Sequence, residues 1–453
     1  MLLAAGLTMP ASAAMTTEQR LRALENLVNE QQQEIKQLRG ELKQQKAIGT
    51  ATQQQAERAE EGAKATDKKV VASIPGWVNK FTPFGDVRIR QEGFYNQPTT
   101  PGKVTTARNR TRLRARVGLK FEYSDELAAT VRIASGNQND PISTNQTDTG
   151  NFTPFQVNLD WAYLTFSPGK TFNMRPGLLT INAGKFPNPM FRAGEMVWDD
   201  DLAPEGFNEI INVLEHPVGP LDYLKIHAEQ WTFQETSNAE DGWIFGGQIN
   251  PAGHVGNVLL EAGLGQYWYL NPDTIATSAI TNSSLVLTNS VDKDSKGTIT
   301  GYSGAFNESN FTLAATIPDV GGNMPLRFWT DYVYNWEAPD TRAHGVQGGV
   351  RLGSPKEQGD WAASLLYEYL EQNAVNSTFS WSDFGTTAFT QNTNNASVSG
   401  GTNLQGPVIQ LDYQLLKPLT LTARTYFVKY IDPPADYDNR MSVRLQLDAM
   451  YRF

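Results

Sequence analysis

Arg110, Arg112, Arg114 and Arg116 recur at every second residue, with Leu113, Ala115, Val117, Leu119, Phe121 and Tyr123 on the alternate positions. A spacing of two sets all four guanidinium groups on one face of an extended strand and the apolar groups on the other. By the same parity Arg88 and Arg90 join the polar face from the preceding strand, and Arg132 from the following one. Arg424 and Arg444 lie near the far end of the chain and become neighbours of the others if the last strand closes on the first. A wall of this kind sets a field that governs which ions pass it.

The opposite charge collects in one connection. Gly184–Gly206 carries Glu195, Asp199, Asp200, Asp201 and Glu205, framed by Pro187, Pro189 and Pro204. Acids brought against an arginine wall would create a transverse field at a constriction. A solvent-exposed acidic loop and a carboxylate site for a divalent cation are the alternatives, since hard cations favour clustered oxygens. No catalytic residue is assigned. His216, His227, His254 and His344 show no H-E-x-x-H spacing, no nucleophile elbow opens a helix, and cysteine is absent. Neither a cofactor nor a resident metal is expected.

Sixteen alternating segments must position these charges. They begin near Phe81, and the last runs from Val443 to Phe453, with Val443, Leu445, Leu447, Ala449, Tyr451 and Phe453 on one face. Short connections such as Ser124-Asp125-Glu126 and Lys417-Pro418 alternate with long ones at Gly136–Phe155, Asn271–Lys296 and Glu371–Gly406. That pattern predicts an all-β transmembrane antiparallel barrel, with the arginine face inward because a charge facing lipid costs ~2–4 kcal/mol at mid-membrane. Thr298–Ala305 is merged with Phe306–Ile317 to keep the count even; eighteen strands with one more hairpin is the alternative. No apolar run approaches the ~18 residues of a spanning helix, and the mean hydropathy of -0.43 suits a polar lumen. The net charge of -10 argues against nucleic acid as a partner.

The N-terminal region has different chemistry. Residues 1–14 are apolar and then small, with Ala11 and Ala13 spaced as in a signal-peptidase site; the basic n-region is missing, so the start codon is expected upstream. Within residues 15–48, Leu21, Leu24, Val28, Ile35, Leu38 and Leu42, with Gln31, fall on an a/d seam and predict a coiled coil that needs a partner helix. Residues 49–80 read as a polar linker, and 81–453 as the barrel.

The chain resembles a family of bacterial outer-membrane porins in which a short coiled coil precedes a sixteen-stranded barrel. The matching stretches are Gly184-Lys185-Phe186-Pro187-Asn188-Pro189, Trp198-Asp199-Asp200-Asp201-Leu202 and Asp331-Tyr332-Val333-Tyr334-Asn335. Gly359-Asp360-Trp361, Tyr367-Glu368-Tyr369-Leu370-Glu371 and the terminal Phe453 complete them. The resemblance implies passive diffusion of small hydrophilic solutes and ions across the outer membrane; a homotrimer with a periplasmic coiled coil is expected, with a dimer as the alternative. The alternatives are a substrate-specific channel for phosphate or carboxylates, and a closed barrel tethering the membrane to the cell wall through its coiled coil.

Overall fold

The computed structural model describes residues 78–98, 107–237, 239–385, 401–433 and 438–453, with a few helical positions before them. The chain divides into two units, Met1–Asn79 and Lys80–Phe453. In the first, Glu18, Gln32, Gln33, Lys36, Arg39, Gly40 and Lys43 are helical and exposed. The seam residues Leu21, Leu24, Val28, Ile35, Leu38 and Leu42 lie outside the described residues, as does the signal segment.

In the second unit, strict alternation of apolar and polar residues produces strand after strand. The first six are β1 (Phe81–Tyr95), β2 (Arg108–Glu122), β3 (Leu127–Ser135), β4 (Val157–Phe166), β5 (Leu179–Lys185) and β6 (Glu205–Asn212). Then follow β7 (Leu221–Gln234), β8 (Gly242–Val255), β9 (Val258–Leu270), β10 (Asn307–Ile317) and β11 (Leu326–Asn335). The last five are β12 (His344–Gly353), β13 (Trp361–Leu370), β14 (Leu404–Leu416), β15 (Leu419–Tyr430) and β16 (Ser442–Arg452). Each pairs antiparallel with its neighbours, and β16 pairs with β1, so the sixteen strands close into a barrel without edges. Phe453 completes the seam by exchanging backbone hydrogen bonds with Gly85, 3.0 and 3.1 Å.

Thr298–Ala305 is not part of β10. Ile299–Tyr302 forms a separate hairpin with Val291–Lys293. The chain turns away because Tyr302 N–H donates to the Asp273 carboxylate (2.8 Å) and Ala305 N–H to the Glu337 carbonyl (2.9 Å), not to a barrel strand. The even count survives the correction.

Polarity is inverted relative to a water-soluble protein. Ile89, Val117, Val131, Leu264, Leu365, Leu411 and Leu447 stand exposed on the outer face, the surface a lipid-embedded barrel requires. The apolar core lies inside the barrel, where the β5–β6 connection folds back. Phe186, Met196, Val197 and Trp198 bury themselves against Trp231 of β7, Tyr267 and Tyr269 of β9, and Phe379 of the β13–β14 connection. Two opposed glycines let this connection swing inward. Gly184 and Gly206 face each other across β5 and β6 at φ +124° and +134°. A Cβ on either would stand 2.3 or 2.1 Å from a neighbouring carbonyl oxygen.

Candidate functional site: a charged wall and two inward loops

Barrel closure builds a ladder of charge. Across β1 and β2 the inward residues face each other as Asp86–Arg116, Arg88–Arg114, Arg90–Arg112 and Glu92–Arg110. From the other side, β16 sets Asp448 opposite Arg90 and Gln446 opposite Glu92. The wall is therefore mixed. Arg114 and Arg116 share Asp86 at 2.9 and 2.8 Å, and Arg90 binds Asp448 through two hydrogen bonds of 2.7 and 2.8 Å. Glu92 takes Arg110 and Arg444 together. Arg132 binds Asp160 at 2.5 Å and lies over the Trp161 ring, while Arg424 donates to Gln410 at 2.7 Å. Arg88 donates to Asn145 at 2.6 Å and reaches Asp448 only at 3.9 Å. The acids on this wall could have been found from sequence, since Asp86 and Glu92 share the parity of Arg88 and Arg90.

The β5–β6 acids take different positions. Asp201 touches the wall directly: 3.0 Å from Arg116 and 3.5 Å from Arg114. Burial alone would raise its carboxyl, but the guanidiniums of Arg114, Arg116 and Arg88 hold it down at about 2. Asp199 is a buried bridge between loops, accepting the Ser382 and Asp201 N–H groups at 2.8 Å each; burial, reinforced by Asp201, pushes it well up. Glu195 accepts the Asp200 N–H at 3.2 Å and is likewise pushed up, by burial and by Asp200. Asp200 is exposed and pairs with Arg192 at 3.0 Å. Glu205 lines the cavity of about 510 Å³ together with Asp201 but does not reach the arginine wall. It sits on β6 at the parity opposite the inward Asn208, is exposed, and pairs with Lys185 at 2.7 Å.

A second inward loop supplies an acid not singled out from sequence. Asp383, in the β13–β14 connection, binds Arg90 at 3.0 Å and Arg444 at 2.7 Å. Burial opposes its ionisation, yet Arg90 and Arg444 hold its carboxyl well below the usual range. The stretch before it, Asn373–Ser380, is buried through polar contacts: Ser377 N–H to Asn289 (2.9 Å), Asn376 N–H to Glu308 (3.1 Å), Asn335 to the Asn373 carbonyl (2.8 Å). Nothing apolar and periodic marks such a segment for burial, so the sequence alone showed only a long loop.

Together the loops and wall enclose a lumen cavity of about 550 Å³. Two cavities on the long-loop side, of about 510 and 370 Å³, share lining residues with it: Asp201 in one case, and Asn145, Ser382 and Asp383 in the other. Because Asp201 and Asp383 touch the arginines, they pin their loops to the wall, and the free space runs beside these contacts. Among the described residues no group of three or more His, Asp or Glu side chains could hold a metal ion.

A closed sixteen-stranded barrel with its third long connection folded inward defines an outer-membrane porin. The family described as "Putative porin" matches residues 94–298, and the chain is similar to it over that stretch. A comparison with curated protein sequences gives no match. Among solved structures, OprB of Pseudomonas putida at high pH is similar with a TM-score of 0.51 at 11% identity, covering 83% of this chain and 95% of that one. An anion-selective porin from Comamonas acidovorans aligns with a TM-score of 0.45 at 13% identity, over 82% and 99%. At such identities the likeness is one of fold.

Proposed function

We propose that the barrel conducts small hydrophilic solutes and ions by passive diffusion, with a preference for anions set in the lumen cavity. The observation that carries this reading is the charge lining that cavity: eight arginines against seven carboxyl groups. Two of the seven, Glu195 and Asp199, are pushed toward their neutral form by burial, so the local balance is positive although the whole chain is acidic. Transport of this kind needs no catalytic group. The reversal potential of the purified protein in a planar bilayer, under a potassium chloride gradient at low salt, tests it. The parent should favour chloride, and Arg114→Gln/Arg116→Gln should shift passage toward potassium. Unchanged selectivity would sink the charge argument. A parent that conducts nothing would favour a closed, tethering barrel.

The short-turn rim, which holds both Lys80 and Phe453, faces the periplasm in this reading, and the a/d seam assembles three copies, leaving its polar faces free for cell-wall contact. Ile35→Asp with Leu38→Asp would bury charge in the seam and should dissociate the assembly on native gels. A variant oligomer as heat-stable as the parent would show that barrel walls alone hold it.

A further inference from the structure

We infer that the cavity of about 370 Å³ on the long-loop side is a binding subsite for a small hydroxylated oxyanion, a carboxylate or phosphate that also carries hydroxyl groups. The inference rests on the porin reading and deepens it.

Three arginines of β2 line this cavity, at alternate positions 108, 110 and 112. Their charges are unequally matched. Arg110 shares Glu92 with Arg444. Neither Arg108 nor Arg112 has a carboxylate within 4 Å among the described residues. Arg112 is the sharper case. Only 9% of it is exposed, its Nε has no hydrogen-bond partner, and its remaining contacts are long: Ser143 Oγ at 3.3 Å and the Asn145 carbonyl at 3.4 Å. Glu92 and Asp383 act on Arg112 only from beyond contact distance; a buried guanidinium with no carboxylate in contact is costly, and an oxyanion that enters would offset that cost through charge-assisted hydrogen bonds.

The cavity's own acids leave the position open. Asp383 has both oxygens engaged, Oδ2 with Arg90 and Oδ1 with Arg444. Asp140 turns one oxygen to the Ile142 N–H at 3.2 Å and forms no ion pair with Arg108 or Arg112 among the described residues. The rest of the lining is rich in hydroxyls and amides, among them Ser143, Thr147, Thr149 and Ser284. Such groups exchange hydrogen bonds with a polyol as readily as with water, so the surface suits an anion with a hydroxylated body better than a bare halide.

The test is calorimetric titration of the detergent-solubilised full-length protein with gluconate, with inorganic phosphate and glucose as comparisons. Gluconate should bind, phosphate more weakly, and neutral glucose not measurably. Arg112→Gln should weaken gluconate binding about tenfold or more, the scale of a lost hydrogen bond to a charged group, and Arg112→Lys should restore part of it. A heat-shifted gel band shows that each variant is folded; if Arg112→Gln is not, Arg108→Gln takes its place with the same expectation. No gluconate binding by the parent, equal binding by the folded variants, or glucose binding as tightly as gluconate overturns the subsite. Conductance in potassium chloride is measured separately, so loss of the porin reading and loss of the subsite give different results.

Discussion

Two halves of the barrel interior obey the same alternation and reach opposite solutions. On β1, β2 and β16, inward arginines and acids lie beside a cavity and neutralise each other in pairs, as Arg90 does with Asp448 and Arg114 with Asp86. On β7 to β13, the inward acids Glu229, Glu308, Asp331 and Glu368 are 0–3% exposed and have no lysine or arginine within 4 Å among the described residues. Amides, hydroxyls and backbone N–H groups serve them instead: Asn208 for Glu229, Asn376 for Glu308, Asn310 and Thr312 for Asp331, Gln347 for Glu368. The difference comes from what lies over each wall. Apolar side chains of the β5–β6 loop cover the acidic half and exclude water, whereas the basic half borders open space. Strand parity decides which residues point inward, and the loops decide whether inward means wet.

Removing the closing residues destroys both halves together. Deletion of Tyr451–Phe453 takes away the pairing of Tyr451 with Val87 and of Phe453 with Gly85, and most heat-modifiable barrel should be lost from the outer membrane. Normal amounts of folded protein would contradict closure through this strand.

Trp198→Ala attacks the covered half alone. Trp198 is 1% exposed and stacks edge-on to Trp231 and Tyr267. Truncation should cost about 3–5 kcal/mol of loop packing and raise single-channel conductance as the loop loosens. Unaltered conductance would mean that the loop stays in place without its core.

Neutral substitutions at matching depth should separate the halves. Asp448→Asn removes one of the two carboxylates that hold the buried Arg90, which keeps Asp383, and should destabilise by about 2 kcal/mol, read as an earlier heat shift. Glu368→Gln should stay within about 1 kcal/mol, because its partner is an amide already. Equal losses would erase the distinction.

Within the acidic loop the smallest contrast is between neighbours. Asp201→Asn frees Arg114 and Arg116 and should increase anion preference at low salt, an effect fading at ~1 M where the screening length is about 3 Å. Asp199→Asn should barely move the reversal potential, since burial already pushes that carboxyl toward neutrality. The sign with pH follows. Asp201 is depressed to about 2, so its tether is fully present above the ordinary carboxylate value of about 4 and is lost as pH falls from there through about 2. Anion preference should therefore rise as pH falls from about 4 toward 2; no change in that interval would place the controlling group elsewhere.

All sixteen barrel strands were legible because each repeats a period of two between polar turns. The arginines were legible for the same reason, and their lumen side followed from the apolar residues between them. What the pattern missed lies in the loops. Asp383 follows a stretch of Asn, Ser and Thr whose burial depends on hydrogen bonds to distant residues such as Asn289, and those leave no period in the sequence. Glu205 lies close to the other acids in sequence, but β6 begins at that residue, and it pairs with Lys185 in the cavity it shares with Asp201 and does not meet the arginine wall. Thr298–Ala305 alternates like a strand, but Asp273 diverts it into a hairpin that is not part of the barrel sheet.

The Arg–Arg rungs of the ladder have a kinetic consequence. Arg88 faces Arg114 and Arg90 faces Arg112, and like charges directly opposite each other oppose strand pairing. Asp448, which bridges to Arg90, arrives from more than 350 positions along the chain, and Asp383 from almost 300. The β1–β2 hairpin therefore makes a poor early intermediate, self-repelling at its centre until the far end of the chain comes round. Zipping from the first turn should be slow at low ionic strength and quicker when salt screens the arginines, whereas unfolding should start where β16 leaves β1 and the repulsion is released at once.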